Sequence, residues 1–433
     1  MSKRILVVQV AALGHDLLLR HLGRGTCCSC DVREARSVAP ALTCTVQGSF
    51  RTAARPGEHG MLFNGHYLRE LRRPMFWEQS SRLVEGERIW DGFRARGGRV
   101  GMLFWQQSLG EHVDVLLSPA PIHTHGGGLV DAVYSQPDGL YDRLADLVGR
   151  RFRLRSYWGP LASTEASRWI SAATCALLGL DDERPDLLLT YLPHLDYTLQ
   201  RHRTGTFSVR RALDASVRML EDLHRAAERA GFEVLVFGDY AIGEATRVVY
   251  PNRKLLGSGL FRTRSIGRRR YPDFHRSRAF AVVDHEVAFV YVQDSGDIPD
   301  VRRALADEGG GYEVLDAEAM RAHHLAHPRA PEIMLMGAPG TWFAYPWWKD
   351  RAEAPDYASH VDIHNKPGYD PCELFFGWPP PSVGQDPRRI RGTHGAVEPG
   401  RSVAWWSTWD LGREVVDVVD VAKGVKEALD GCS

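Results

Sequence analysis

The sequence lacks a net charge, because its 54 Lys and Arg side chains are balanced by 54 Asp and Glu side chains. No overall electrostatic field therefore attracts a nucleic-acid polymer or an anionic membrane, and any phosphate must be bound locally. The 433 residues also lack an apolar run approaching the ~18 residues of a membrane span. We therefore expect a globular protein with neither nucleic acid nor membrane as a partner.

Cysteine is scarce, with seven residues in a chain too large to need disulfide bonds. The N-terminus passes from Lys3 and Arg4 directly into apolar Ile5, without the apolar segment and small-residue cleavage site of a signal peptide. Both features predict a soluble cytoplasmic protein. The closely spaced Cys27, Cys28 and Cys30 have no second pair at zinc-site spacing, which favours free thiols in a loop.

Apolar segments that alternate with helical ones predict an α/β protein. Continuous apolar runs at residues 4–10, 100–105, 186–192 and 234–237 are typical of buried parallel strands. Between them, residues 209–230 form an amphipathic helical pattern that ends at Gly231. Open parallel sheets keep their active sites at the carboxyl edge, so Gln9, Asp196 and Asp239 are expected to lie together there. Residues 106–149 have a weaker pattern and are expected to be mainly loop.

Thr43 follows the segment Pro40-Ala41-Leu42 and begins a predicted helix of small residues. A hydroxyl nucleophile at this point would meet an incoming phosphate where helix N–H groups and the helix dipole favour negative charge. A Thr here is equally suited to capping the helix, so this residue alone leaves the capping interpretation open.

Further residues follow Thr43 in a characteristic order: Pro56, His59, Gly60, Asn64, Asp196, Asp239 and His394. In this order the chain resembles a divergent bacterial subgroup of the type I phosphodiesterase/nucleotide pyrophosphatase family in the alkaline phosphatase superfamily. The resemblance spans nearly the whole chain. It implies an alkaline-phosphatase-like α/β fold with a mostly parallel sheet sandwiched by helices. Residues 1–250 and 390–433 would form the catalytic core, and 251–389 a late inserted cap of mixed structure.

The resemblance also implies an activity. Thr43 would be the nucleophile of a metal-dependent hydrolase of phosphodiester or pyrophosphate bonds, and Asn64 would hold the transferring phosphoryl oxygens. The substrate would be a small phosphorylated metabolite or a nucleotide-like compound. Alternatives are a phosphomonoesterase, a phosphonate hydrolase or a biosynthetic phosphoryl transferase. A different class is a non-catalytic binding protein on a degenerate phosphodiesterase scaffold.

Members of the family bind two zinc ions, and the chain matches only part of their ligand set. Asp196, Asp239, His394 and the Thr43 oxygen stand at ligand positions. Gln9, Gln200 and Tyr240 replace an Asp and two His, and a neutral amide or phenol binds Zn²⁺ more weakly. We therefore expect one or two divalent ions, with Zn²⁺ favoured and Mn²⁺ or Mg²⁺ as alternatives.

Other residues are candidates to compensate for these replacements. Asp362 and His364 are two apart on an extended stretch, so both side chains can face one ion. His202 lies two residues after Gln200. The pair Asp284-His285 is a weaker candidate, because adjacent side chains on a strand face opposite ways.

Trp105 and Trp342 are candidates for stacking on a substrate ring, with core packing as the alternative interpretation. The sequence leaves the leaving group, the metal and the oligomeric state open.

Overall fold

An eight-stranded sheet forms the centre of the protein in this computed structural model, which describes residues 3–125, 129–307 and 309–431. In chain order the strands are β1 (Ile5–Val10), β2 (Thr26–Cys27), β3 (Cys30–Asp31), β4 (Arg33–Ala35), β5 (Gly65–Leu68), β6 (Arg73–Phe76), β7 (Val100–Leu103), β8 (Val115–Pro119), β9 (Ile122–His123), β10 (Leu129–Val130), β11 (Val133–Gln136), β12 (Leu187–Leu192), β13 (Glu233–Gly238), β14 (Gly243–Glu244), β15 (Arg247–Val249), β16 (Thr263–Ile266), β17 (Arg269–Pro272), β18 (Ala279–Asp284), β19 (Val287–Val292), β20 (Tyr312–Leu315), β21 (Ile333–Gly337), β22 (Thr341–Phe343), β23 (Gly392–Thr393) and β24 (Val403–Ser407).

The helices connect and cover these strands. In chain order they are α1 (His15–Leu22), α2 (Thr43–Thr52), α3 (Pro56–His59), α4 (Asp91–Ala95), α5 (Leu140–Val148), α6 (Thr164–Leu178), α7 (His194–Arg201), α8 (Phe207–Ala230), α9 (Pro251–Gly257), α10 (Ile298–Leu305), α11 (Ala317–Ala322) and α12 (Val418–Asp430). No helix within the described ranges combines the length and the apolar character needed to cross a membrane.

The central sheet is mostly parallel, in the order β11-β8-β7-β12-β1-β13-β24-β4. The strands from β8 to β13 pair in parallel, while β11, β24 and β4 pair antiparallel at the two sides. Every residue of β1 and β12 is buried, as their continuous apolar runs predict. The predicted α/β class with a mostly parallel sheet is confirmed.

Helices pack on both faces of this sheet. Alternate residues of β1 point to opposite sides: Leu6 and Val8 join the core formed with α6 and α8, whereas Ile5 and Val7 join the core formed with α2 and α12. The sheet is therefore buried between two helical layers. This arrangement explains why its strands are apolar throughout rather than alternating.

A second, four-stranded antiparallel sheet has the order β18-β19-β21-β20 and a core of its own. Its β18 and β19 are continuous apolar strands joined by a two-residue turn, His285-Glu286. This turn reaches the active-site edge of the first sheet, where the backbone N–H of Glu286 donates to the carbonyl oxygen of His394 over 2.9 Å.

The segment 106–149 contains more structure than its sequence pattern predicts. β8 adds a strand to the central sheet, and α5 packs beside it in the same core. The apolar part of β8 is short and ends at Pro119, so its hydrophobic periodicity is too brief to separate a strand from a loop.

The carboxyl ends of β12, β1 and β13 lie side by side. Gln9 is paired with Tyr191 on one neighbour and with Phe237 on the other. The loop after each strand therefore opens at the same edge of the sheet, as predicted for Gln9, Asp196 and Asp239.

Candidate active site

Thr43 is the first residue of α2, and its side chain does not cap the helix. Leu42 occupies the N-cap position with extended backbone and without a side-chain hydrogen bond. The buried Thr43 hydroxyl instead lies 3.3 Å from the Tyr240 hydroxyl. The hydroxyl thus sits at the positive end of the α2 dipole, where an anionic group is stabilised.

Asn64 is fixed beside this helix start by three hydrogen bonds. Its Oδ1 accepts from the backbone N–H of Cys44 at 3.0 Å. Its backbone N–H and its Nδ2 donate to the two carboxylate oxygens of Asp284, over 2.8 and 3.2 Å. Asp284 therefore orients the Asn64 amide, and burial raises the pKa of the Asp284 carboxyl to about 7.

Donors from the protein itself surround the carboxylate of Asp239. Gln9 Nε2 donates to Oδ2, while the backbone N–H groups of Ala12 and Tyr240 donate to Oδ1, each over 2.9 Å. Ser37 donates to the Asp239 carbonyl oxygen. Despite these donors, burial raises the pKa of Asp239 to about 8, because no full positive charge replaces water around it.

Only one of the two carboxylate oxygens of Asp196 has a hydrogen-bond partner. Gln200 Nε2 donates to Asp196 Oδ2 over 2.7 Å, and Tyr369 in turn donates to Gln200 Oε1 over 2.9 Å. Asp196 Oδ1 is buried and has no hydrogen-bond partner. Burial raises the pKa of Asp196 to about 7, although hydrogen bonds from Gln200 and Tyr240 oppose this rise.

His394 faces the free oxygen of Asp196. Its Nδ1 lies 2.7 Å from the carbonyl oxygen of Ala41, which can only accept, so Nδ1 carries the proton. Burial lowers the pKa of His394 well below its ordinary value, which leaves a neutral ring with its lone pair on Nε2. This Nε2 is 3.7 Å from Asp196 Oδ1. The two atoms therefore face each other at a distance too long for a hydrogen bond.

A stack of four buried rings holds His394 in this orientation. Tyr240 lies flat on one face of His394, with ring centroids 3.5 Å apart and planes 4° apart. His285 covers the other face at 3.8 Å, and Tyr369 covers the far side of His285 at 3.7 Å. Tyr240, which stands where the family resemblance implies a His ligand, thus packs against the His394 ring.

A divalent cation fits one part of this site better than the other. At Asp239 the carboxylate already accepts three hydrogen bonds, from Gln9 and from the backbone of Ala12 and Tyr240, and a cation would have to compete with these donors. At Asp196 the unpartnered Oδ1 and the facing His394 Nε2 are two acceptors whose 3.7 Å separation is close to the about 3.4 Å between two ligands of one tetrahedral Zn²⁺.

This second half is not a finished metal site. Within residues 3–125, 129–307 and 309–431, no group of three or more His, Cys, Asp and Glu side chains could hold a metal ion. Asp196 and His394 alone would therefore offer a cation two protein ligands.

Several predicted residues contact other parts of the protein. Asp362 accepts from the backbone and side chain of Asn365, and His364 Nδ1 lies 3.0 Å from the carbonyl oxygen of Phe76. His202 is exposed at the end of α7. No hydrogen bond or ion pair described in the structure joins any of these three to Asp196 or His394. Their predicted role as metal ligands therefore gains no support from their surroundings.

The two tryptophans predicted to bind substrate are buried in separate apolar clusters. Trp105 is fully buried against Phe50 and Phe237, and Trp342 packs with Cys372 and Ile390. Neither ring presents a face to a ligand, so the surroundings of both favour core packing.

Sequence reasoning missed Tyr369 and undervalued Asp284 and His285. Tyr369 follows the predicted pair Asp362 and His364, yet it is Tyr369 that reaches Gln200 and His285. The alternation argument against Asp284-His285 fails because His285 belongs to the turn, where strand alternation ends. The adjacent Asp and His residue types were the sequence feature that could have identified Asp284 and His285 as site residues.

A family model described as type I phosphodiesterase/nucleotide pyrophosphatase matches residues 15–370. No curated protein matches the chain significantly.

Among solved structures, phosphonoacetate hydrolase from Sinorhizobium meliloti 1021 with bound phosphonoformate is 18% identical, with a TM-score of 0.62, and the match covers 100% of this chain and 96% of that one. Murine ectonucleotide pyrophosphatase/phosphodiesterase 5 is 15% identical, with a TM-score of 0.62 and coverage of 99% and 95%. An inactive Thr-to-Ala variant of the murine protein in complex with AMP matches with a TM-score of 0.61, 15% identity and the same coverage. At these identities the likeness shows a shared fold.

Proposed function

Because the chain belongs to the type I phosphodiesterase/nucleotide pyrophosphatase family, whose members are hydrolases, we propose that it hydrolyses a phosphodiester or pyrophosphate bond through a phosphothreonine intermediate on Thr43. The observation that carries the proposal is the position of Thr43. Its hydroxyl stands at the start of α2 and is not used for capping, and the next residue, Cys44, donates its backbone N–H to the oriented amide of Asn64. The murine relative that binds AMP as an inactive Thr-to-Ala variant supports a nucleotide-like substrate.

The residues of the chain have separate tasks in this reaction. The Tyr240 hydroxyl can accept a hydrogen bond from Thr43, which would direct a lone pair of Thr43 Oγ1 towards the phosphorus. The helix dipole and the Asn64 amide would stabilise the negative charge on the equatorial oxygens. Attack of Thr43 Oγ1 on phosphorus would form the phosphothreonine and break the bond to the leaving oxygen, which would depart as the first product while the Thr43 proton passes to solvent. Attack of water on the phosphothreonine would then release the second product and restore the Thr43 hydroxyl. Phosphoryl transfer depends mainly on such positioning and charge stabilisation.

We propose that the chain binds one divalent cation, with Zn²⁺ favoured, through Asp196 and His394. When bound, the cation would supply positive charge that neutralises the phosphoryl oxygens and the threonine alkoxide. The support is the pair of facing acceptors, Asp196 Oδ1 and His394 Nε2. Gln9 and Tyr240 would act as hydrogen-bond partners of Asp239 and Thr43 rather than as metal ligands.

The proposed division into a core of residues 1–250 and 390–433 and a cap of 251–389 fits the two separate sheets. A cytoplasmic location is supported by the cysteines. Cys27 and Cys30 face each other on β2 and β3 and remain thiols, as do Cys28, Cys44, Cys175 and Cys372.

A second candidate function is binding of a phosphorylated ligand without turnover. It is favoured by the three hydrogen bonds to the Asp239 carboxylate, with which a cation at that position would have to compete.

Turnover of an activated aryl phosphodiester, an aryl ester of a nucleoside monophosphate, an aryl phosphomonoester and phosphonoacetate would separate these functions. We expect activity on the diesters, abolished in Thr43→Ala with an unchanged circular dichroism spectrum. We also expect a phosphorylated wild-type peptide containing Thr43 after rapid acid quenching. Activity retained by Thr43→Ala would remove Thr43 from the mechanism, whereas ligand binding without turnover of any substrate would establish the second candidate.

A further inference from the structure

We propose that Cys27 and Cys30 form a redox-active dithiol, which a small-molecule disulfide such as oxidised glutathione converts reversibly into an intramolecular disulfide bond. The two residues lie on the hairpin of β2 and β3, which packs against the core formed with α6 and α8. This chemistry does not depend on the proposed hydrolase activity, because the hairpin shares no residue with the candidate active site.

A two-residue turn places the two cysteines opposite each other. Cys28 and Ser29 connect the strands with φ of +50° and +64°, so both adopt the left-handed conformation. Positive φ at both central residues is the geometry of a type I′ hairpin turn, whose twist matches that of the flanking strands. In the resulting register Cys27 pairs with Cys30, so their side chains project from the same face of the hairpin.

This register brings the two backbones within reach of a disulfide. Directly opposed residues of an antiparallel pair have Cα atoms about 4.5 or 5.5 Å apart, depending on whether the pair is hydrogen-bonded. Disulfide bonds ordinarily span Cα separations of about 4.4–6.8 Å. Rotation of the two side chains is therefore enough to join Cys27 and Cys30, without a change in the strands.

The thiols of the hairpin differ in their access to solvent. Cys27 is buried in the core, whereas Cys28 and Cys30 are half-buried at its edge, and all three are free thiols. Cys27 Sγ and Cys28 Sγ lie 3.9 Å apart. A bond between these adjacent residues would close a small ring around a peptide bond that resists twisting, so Cys30 is the better partner for Cys27. An oxidant from solvent reaches Cys30 first, and Cys27 is held opposite it as the second thiol.

The oxidation proceeds by two thiol–disulfide exchanges. The Cys30 thiolate attacks one sulfur of oxidised glutathione, which forms a mixed disulfide and releases one glutathione, and that glutathione takes up the proton lost from Cys30. The Cys27 thiolate then attacks the Cys30 sulfur, which forms the Cys27–Cys30 bond and releases the second glutathione with the proton lost from Cys27. The two protein thiols lose two electrons in total, and the glutathione disulfide gains them.

The bond should also be easily reduced. It closes a loop of only four residues, and the stabilisation that a disulfide provides grows with the length of the loop. Opposed residues have Cβ atoms about 4.5–5.5 Å apart, slightly more than the mean of about 3.8 Å in disulfides, so the bond would carry strain. Strained disulfides have higher reduction potentials and are the labile ones. The pair is therefore suited to respond to the surrounding thiol–disulfide balance rather than to stabilise the fold.

The experiment follows the thiols of the folded, full-length chain. The protein is equilibrated with different ratios of oxidised to reduced glutathione at about pH 8, near the ordinary pKa of a thiol, and circular dichroism checks that it stays folded. Free thiols are blocked with one alkylating reagent, disulfides are reduced, and the released thiols are labelled with a second reagent. Fragmentation of the tryptic peptide spanning residues 25–33 then assigns one label to each of its three cysteines.

Cys30→Ser is the test variant, and Cys28→Ser, at the neighbouring half-buried thiol, is the matched control. In oxidised glutathione we expect the wild type and Cys28→Ser to lose two free thiols per chain, located at Cys27 and Cys30. Excess reduced glutathione should restore both thiols. We expect Cys30→Ser and Cys27→Ala to form no internal disulfide in this peptide and at most a glutathione adduct.

Three results would overturn the proposal. The first is a wild-type peptide that keeps its thiols in excess oxidised glutathione. The second is a glutathione adduct on Cys30 that persists without closing onto Cys27. The third is internal disulfide formation in Cys30→Ser equal to that of the wild type, which would assign the bond to Cys27 and Cys28.

Discussion

Replacing Asp239 with Asn should stabilise the metal-free protein at neutral pH. The carboxyl group is fully buried, and its oxygens accept hydrogen bonds from Gln9, Ala12 and Tyr240. Asn has the same shape, and its Oδ1 can keep both backbone donors. Its Nδ2 can donate to Gln9 after rotation of the Gln9 amide, because Gln9 Oε1 has no partner. The substitution therefore removes a titratable proton while every hydrogen bond can be kept.

The magnitude follows from the pKa difference between the folded and unfolded states. Burial raises the pKa of folded Asp239 to about 8, against about 3.9 in an unfolded chain. The folded state therefore binds the proton more tightly, and this contribution to stability is complete below about pH 3.9 and is lost as pH rises towards 8. At pH 7 this loss of wild-type stability is at most about 4 kcal/mol. We therefore expect the free energy of unfolding of Asp239→Asn, relative to wild type, to be on the order of 2–4 kcal/mol more favourable at pH 7 than at pH 4.

The assay is the difference in Tm between Asp239→Asn and wild type from pH 4.5 to 8.5 in the presence of a chelator. We expect the Tm of the variant minus the Tm of the wild type to increase steadily as pH rises. Asp138→Asn, in an exposed turn, is the matched control and should show no such trend. A variant whose relative stability is independent of pH, or falls as pH rises, would refute a proton held on Asp239.

Three other substitutions test particular contacts. Asn64→Ala should reduce diester turnover by about 10²-fold, the usual effect of losing one donor to the transition state, and steady-state kinetics would check this. Gly238→Ala should lower the free energy of unfolding by about 1–3 kcal/mol in chemical denaturation, because the added Cβ would lie 2.3 Å from the Leu13 carbonyl oxygen; a neutral effect would contradict this close approach. Arg401→Met should cost about 3–5 kcal/mol in the same measurement, since it leaves the carboxylate of Glu286 buried and unpaired, whereas a loss below about 1 kcal/mol would show that the pair does not anchor the turn.

The residue order along the chain was enough to predict the framework of this protein. Continuous apolar runs identified β1, β12 and β13, and the amphipathic pattern of residues 209–230 identified α8. These predictions succeed because the spacing of apolar residues along the chain reflects which faces of a strand or helix are buried. The fold class and the family follow from these runs together with Thr43 and the later polar residues, and both are confirmed. The predicted start of a helix at Thr43 also agrees with the structure.

Only the tertiary structure decided what the three replaced ligand positions do. Sequence reasoning predicted that Gln9, Gln200 and Tyr240 would weaken metal binding. The structure shows that both glutamines donate to the carboxylates beside them and that Tyr240 packs flat on His394. Whether an amide turns its oxygen or its nitrogen towards a carboxylate depends on partners from distant parts of the chain.

The tertiary structure likewise selected His285 over His364 as the imidazole next to His394. Both residues belong to Asp-His patterns of similar chemistry, and the spacing of the residues alone favoured His364 over His285. The difference arises because the β18–β19 turn is bonded to the backbone of His394, while His364 is bonded to Phe76. The sequence alone thus predicted the long buried strands and the longest helix, since these depend on patterns among neighbouring residues. The packing of two sheets against each other determined which side chains meet, since it joins residues hundreds of positions apart.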